Sequence, residues 1–107
     1  MQDTLQNIGL DISNMKKKYL SEGFEIVGIF GSYAKGNADK FSDIDIAYTL
    51  DFNTFDKQFK GGFSKIPRIE EIKNELQKLL HLKVDLVSIN SSNKQFNQTI
   101  LKDIFYV

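Results

Sequence analysis

Apolar residues recur along this chain first with a helical period and then with a strand period. Leu5, Ile8, Ile12, Met15 and Tyr19 are spaced by three and four, which predicts an amphipathic helix starting at Asp3 or Thr4 and stopping at Gly23. Ile26-Val27-Gly28-Ile29-Phe30 is a short β-branched run and reads as a buried strand. Asp43-Ile44-Asp45-Ile46-Ala47-Tyr48 alternates polar with apolar and reads as a second strand, its isoleucines turned to the core and its acids to the other face. From Pro67 onward, Ile69, Ile72, Leu76, Leu79 and Leu80 share one helical face. Glu70 and Glu71 in its first turn and Lys78 near its end suit the helix dipole. Lys83-Val84-Asp85-Leu86-Val87 is a third strand. Beyond the turn signal Asn90-Ser91-Ser92-Asn93, the residues Phe96, Ile100, Leu101 and Ile104 predict a last helix.

The order helix, strand, strand, helix, strand, helix predicts one α/β (α+β) domain over residues 1–107, a small sheet with helices against it. The connection from Gly31 to Ser42 is short for a parallel crossover, so the first two strands are expected to be antiparallel. Residues 51–66 show no clean period and carry a Gly61-Gly62 pair, which reads as a mobile connection with one helical turn. Within it Phe52, Phe55, Phe59 and Phe63 recur at three and four, fitting either a partner-facing turn or a local core.

Composition narrows the function. A chain of 107 residues has room for one modest core. Lys and Arg number 14 against 14 Asp and Glu, so there is no basic field to hold a long nucleic acid by its phosphates. No cysteine is present and one histidine, which excludes a disulfide framework and a thiolate or conventional histidine zinc site. Residues 1–20 are interrupted by polar side chains throughout, so no signal peptide or membrane span is expected and the chain reads as cytoplasmic.

The candidate chemistry lies in Gly31-Ser32-Tyr33-Ala34-Lys35-Gly36 and, five residues on, Ser42-Asp43-Ile44-Asp45-Ile46. The first strand delivers its end into the Gly31-Ser32 turn, which opens a helical stub around Tyr33 to Lys35. A glycine allows close backbone approach, and the N–H groups of a helix start attract anions such as a triphosphate tail. Asp43 and Asp45 leave one face of a strand roughly 6.5–7 Å apart, a separation suited to two divalent ions about 3.5–4 Å apart. Asp85, a lone charge in an apolar strand, is a candidate third carboxylate, because such a charge needs a partner and a metal is one.

These linked elements, the Gly-Ser-x-Ala-x-Gly turn, the Ser-Asp-Ile-Asp strand and a later isolated Asp on a strand, resemble the DNA polymerase β-type nucleotidyltransferases. The chain is most similar to the minimal nucleotidyltransferases of that superfamily. The resemblance runs from the strand entering Gly31 through Asp85. Lys35 stands where many relatives carry Arg, which keeps a charge and loses a bidentate fork. It implies a small mixed sheet, two Mg²⁺ ions on Asp43, Asp45 and Asp85, ATP as substrate with its β- and γ-phosphates on Gly31 and Ser32, and Lys35 as auxiliary charge. It also implies transfer of AMP to a hydroxyl, a tyrosine on a HEPN-domain ribonuclease toxin, with this chain as the antitoxin in a hetero-oligomer.

Plainer readings compete. Asp43 and Asp45 could be solvated acids on an edge strand, Asp85 could be ion-paired with a lysine, and Ser32 could be a helix N-cap. Lys16-Lys17-Lys18 reads as a solvated helix face and His81 as a dipole-complementing surface residue. At the level of function, a non-catalytic subunit neutralising its partner by contact is one alternative. A small-molecule nucleotidyltransferase of the antibiotic-modifying type is another, disfavoured by the lack of a second domain. Clustered acids favour the enzyme, since a scaffold has no need of their repulsion.

Overall fold

The computed structural model describes residues 5–39, 42–51, 53–55, 62–89 and 94–107, the side chains of 62–66 excepted. Helix α1 (Leu5–Leu20) leads into strand β1 (Phe24–Phe30), the short helix α2 (Ser32–Lys35), β2 (Ile44–Leu50), helix α3 (Gly62–Leu80), β3 (Val84–Ser88), helix α4 (Lys94–Lys102) and β4 (Phe105–Tyr106). The strands form one mixed sheet in the order β3-β2-β1-β4. β1 is antiparallel to β2, as the short connection predicts, and to β4, while β2 and β3 run parallel through the α3 crossover. The α/β class expected from the sequence is the class observed.

The core lies between one face of the sheet and helices α1 and α3. Ile8, Ile12 and Tyr19 of α1 and Ile72, Leu76 and Leu80 of α3 meet Phe24, Ile26, Ile29, Ile44, Ile46, Tyr48 and Val84. The Phe24 and Tyr48 rings stack at 4.5 Å between centroids. A polar cluster also joins the end of α1 and the turn after it to α3. Arg68 donates to both carboxylate oxygens of Glu22 at 2.6 Å, and the buried Tyr19 hydroxyl donates to Glu75 at 2.7 Å. Lys18 reaches the same Glu75 and Lys16 donates to the carbonyl of Val107, so two of the three consecutive lysines are partnered rather than merely solvated.

Four expectations are corrected. First, α3 begins at Gly62, so Pro67 lies inside the helix rather than at its start, and no acidic residue falls in the first turn. Second, the helix at the C-terminal end stops at Lys102 and is followed by an edge strand, β4, whose two residues are too few for a readable alternation. Ile104 therefore lies outside the helix. Third, β1 is not a uniform strand. Its register on β2 slips between Ile26 and Gly28, a bulge that leaves Val27 as the extra residue and turns both Ile26 and Ile29 to the core. Fourth, the connection after β2 is shorter than residues 51–66, because residues 62–66 already belong to α3, and the one helical turn expected in it is found. Residues 53–55 are helical with Phe55 fully buried, while Asp51 accepts from Asn53 and Thr54. The local-core reading holds for Phe55; Phe52 and Phe59 and the side chain of Phe63 lie outside the described residues.

Candidate active site

The site forms where β1 ends and β2 and β3 begin. Because β1 is antiparallel to β2, Phe30 at its last position pairs with Asp45. Because β2 and β3 are parallel, Asp45 pairs with Asp85. Both acids are the second residues of their strands, flanked by Ile44 and Ile46 and by Val84, whose burial in the core turns the two aspartates to the opposite face. Ile44 N–H donates to the Lys83 carbonyl at 2.8 Å, which locks the register. Asp43 precedes β2 and is exposed, so it belongs to the approach to the strand and not to the strand as expected.

Asp45 is half-buried. Burial pushes its carboxyl above the ordinary carboxylate range, and the charges of Asp85 and then Asp43 push it further. Among the described residues no lysine, arginine or histidine forms an ion pair with Asp43, Asp45 or Asp85. The plainer reading of Asp85 as the partner of a lysine thus finds no support among the described residues, which offer these acids no counterion within ion-pair distance.

Gly31 follows β1 directly as the N-cap of α2, at φ 74° and ψ −149° and with no side-chain cap bond. Ser32 is accordingly the first helical residue, not the N-cap. The stub is stopped by Gly36 in the left-handed conformation, with Gly36 N–H bonded to Tyr33 and Asn37 N–H to Ser32. Lys35 N–H, donating to the Gly31 carbonyl at 3.1 Å, makes the first helical bond of the stub. Lys35 is exposed at its end. The space beside Gly31 is not vacant: an L-configured Cβ there would overlap Asp45 Oδ2 and stand 3.1 Å from its Cγ. The turn and the carboxylate expected to serve phosphate and metal separately are therefore in contact.

The donor set suits a hard cation. Every candidate ligand is a carboxylate oxygen, the acids repel one another, and Mg²⁺ is commonly held by one or two carboxylates with substrate phosphates and waters completing its shell. Among the described residues no three His, Cys, Asp or Glu side chains already converge as a metal cage, so the expected two-ion set on Asp43, Asp45 and Asp85 is not pre-assembled. Sequence reasoning missed Gln77. Its side chain accepts the Val84 N–H at 3.1 Å and steadies the start of β3 next to Asp85, and no local pattern announces that contact. His81 is exposed with φ 56°, closing α3 in the conformation usually left to glycine. Among the described residues no helix is long and apolar enough to cross a membrane.

Residues 11–105 match the family described as Polymerase beta, Nucleotidyltransferase. The chain is 35% identical to the protein adenylyltransferase MntA of Thermococcus cleftensis, over 97% of this chain and 96% of the relative. It is 34% identical to a protein of Methanocaldococcus jannaschii assigned as a protein adenylyltransferase, over 91% and 92% of the two chains. In fold it superposes on a solved structure assigned as a minimal nucleotidyltransferase with a TM-score of 0.73, at 20% identity, over 99% of this chain and 98% of that one. A chain of a solved toxin–antitoxin complex with AMP-PNP matches with a TM-score of 0.65, at 21% identity, over 92% and 70%.

Proposed function

We propose that this chain, which belongs to the Polymerase beta nucleotidyltransferase family and is an enzyme of that class, works as one catalytic domain over residues 1–107. It transfers AMP from ATP to a tyrosine hydroxyl on a HEPN ribonuclease toxin and so acts as that toxin's antitoxin. The observation that carries the reading is the side-by-side placement of Asp45 and Asp85 with the Gly31 turn against Asp45. The adenylyltransferase names of the relatives support AMP as the transferred group. The toxin–antitoxin complex that shares this fold supports a toxin as the partner.

In this reading the N–H groups that open α2 and the Ser32 hydroxyl hold the β- and γ-phosphates, with Lys35 adding charge from the end of the stub. Asp43, Asp45 and Asp85 hold Mg²⁺, in two ions, which when bound neutralises charge on the phosphates and lowers the pKa of the attacking hydroxyl. The hydroxyl oxygen attacks the α-phosphorus in line as the bond to pyrophosphate breaks, and Asp85 accepts the hydroxyl proton. Little else is asked of the protein, because such displacements depend chiefly on alignment and charge compensation.

The test is co-expression with the product of the adjacent gene, followed by intact mass spectrometry of that partner. Added AMP with the wild-type chain, and none with Asp85→Asn, is the expected result. A partner that is fully neutralised yet unmodified by the wild-type chain would sink the enzymatic reading and leave neutralisation by contact.

A further inference from the structure

We infer that Gly31 is a positioning residue for Asp45: its bare Cα is the seat on which the Asp45 carboxylate rests, so the turn fixes the direction in which that acid is presented. The seat has three parts. The end of β1 is tied to Asp45 by the Phe30–Asp45 pairing, which brings the next residue, Gly31, beside that side chain. The Gly31 carbonyl accepts the Lys35 N–H at 3.1 Å as the first bond of α2, so its peptide is anchored on the other side. Between these anchors φ 74° and ψ −149° lie in a region essentially restricted to glycine, and the position an L-Cβ would fill is taken by Asp45 Oδ2, with Cγ at 3.1 Å and Cβ at 3.5 Å.

Physically, a carboxylate on a strand has several rotamers, and ordering it for a ligand costs side-chain entropy. A surface that Asp45 already packs on removes part of that cost before any ligand arrives. The bulge at Val27 belongs to the device. Without the extra residue the end of β1 would be out of phase by one, and the opposite face of the turn would meet β2. The inference rests on the reading of Asp45 as a metal ligand, and the experiment separates the two.

Gly31→Ala, Asp45→Ala and the double variant are compared in thermal unfolding and in Mn²⁺ affinity measured by electron paramagnetic resonance with the metal alone. The backbone penalty of alanine at positive φ is common to both backgrounds, whereas the overlap exists only where Asp45 keeps its carboxylate. Gly31→Ala should therefore lower the unfolding midpoint several degrees more in the wild-type background than in Asp45→Ala. If Gly31→Ala alone fails to fold, the double variant should fold. Folded Gly31→Ala should bind Mn²⁺ at least tenfold more weakly than wild type, a change that a merely structural glycine would not produce. Equal penalties in both backgrounds, including failure of both to fold, would overturn the seat. Unequal penalties with unaltered Mn²⁺ affinity would overturn the positioning role. Retention of wild-type Mn²⁺ affinity by Asp45→Ala itself would instead strike at the metal-ligand reading.

Discussion

Asp45 and Asp85 occupy paired positions on the parallel strands β2 and β3, separated by one strand spacing of about 4.8 Å. Two like charges so placed destabilise the protein that carries them. No cation of the chain offsets them among the described residues, so the arrangement makes sense as a place kept for an external one.

Replacing either acid separates stability from activity. Asp45→Asn or Asp85→Asn should raise stability by about 0.2–1 kcal/mol through relief of repulsion between paired positions. Loss of metal-assisted charge stabilisation should lower AMP transfer by about 100-fold or more. Denaturant titration and a labelled-ATP assay with Mg²⁺ check the two halves. Full activity in either variant would contradict the assignment.

Asp45 also sets a pH dependence. Its carboxyl titrates above its ordinary 3.8 because of burial, Asp85 and Asp43, so the folded state binds its proton more tightly than the unfolded chain does. The contribution favours folding below the ordinary value and is lost as pH rises through the raised one. The stability advantage of Asp45→Asn over wild type should accordingly grow across that interval and level off above it. Thermal unfolding at a series of pH values without divalent metal checks this; a difference independent of pH would contradict it.

The polar clamp between α1 and α3 is predicted to support the fold and not the chemistry. Arg68→Ala removes the fork onto Glu22 and the contact with Glu75, and it should cost roughly 2–4 kcal/mol because charged, largely enclosed groups lose their partner. Tyr19→Phe removes only the bond to Glu75 and should cost about 1 kcal/mol. In folded protein both should transfer AMP at the wild-type rate, since the clamp lies against the helical side of the sheet.

Gly28 is predicted to control the last strand. A methyl there would lie 2.5 Å from the Phe105 carbonyl oxygen and 2.9 Å from Ile104 Cγ1, so β4 must move away. Gly28→Ala should cost about 1–3 kcal/mol by overpacking. It should also speed hydrogen exchange at the Val107 amide, which donates to Val27 across this pair. Unchanged protection at Val107 would mean that β4 is not held by this contact.

Short-range pattern alone accounts for much of this molecule. Spacings of three and four specify α1 and the middle of α3, alternation specifies β2, and the Gly31-Ser32 turn with Asp43 and Asp45 announces the chemistry, because each signal lies within a few residues. Other features depend on partners distant along the chain and arise only on folding. Ile104 and Phe105 continue a helical apolar pattern, and only β1 makes Phe105–Tyr106 a strand by offering its free edge. The bulge at Val27 exists only relative to β2. That Asp85 stands level with Asp45 is set by the α3 crossover and the Ile44–Lys83 bond. The reason Gly31 must be glycine is likewise a contact with Asp45, and no local propensity contains it. Backbone periodicity is a property of neighbours in sequence. Register and close approach are settled by packing between strands, where a shift of one residue reverses every side chain.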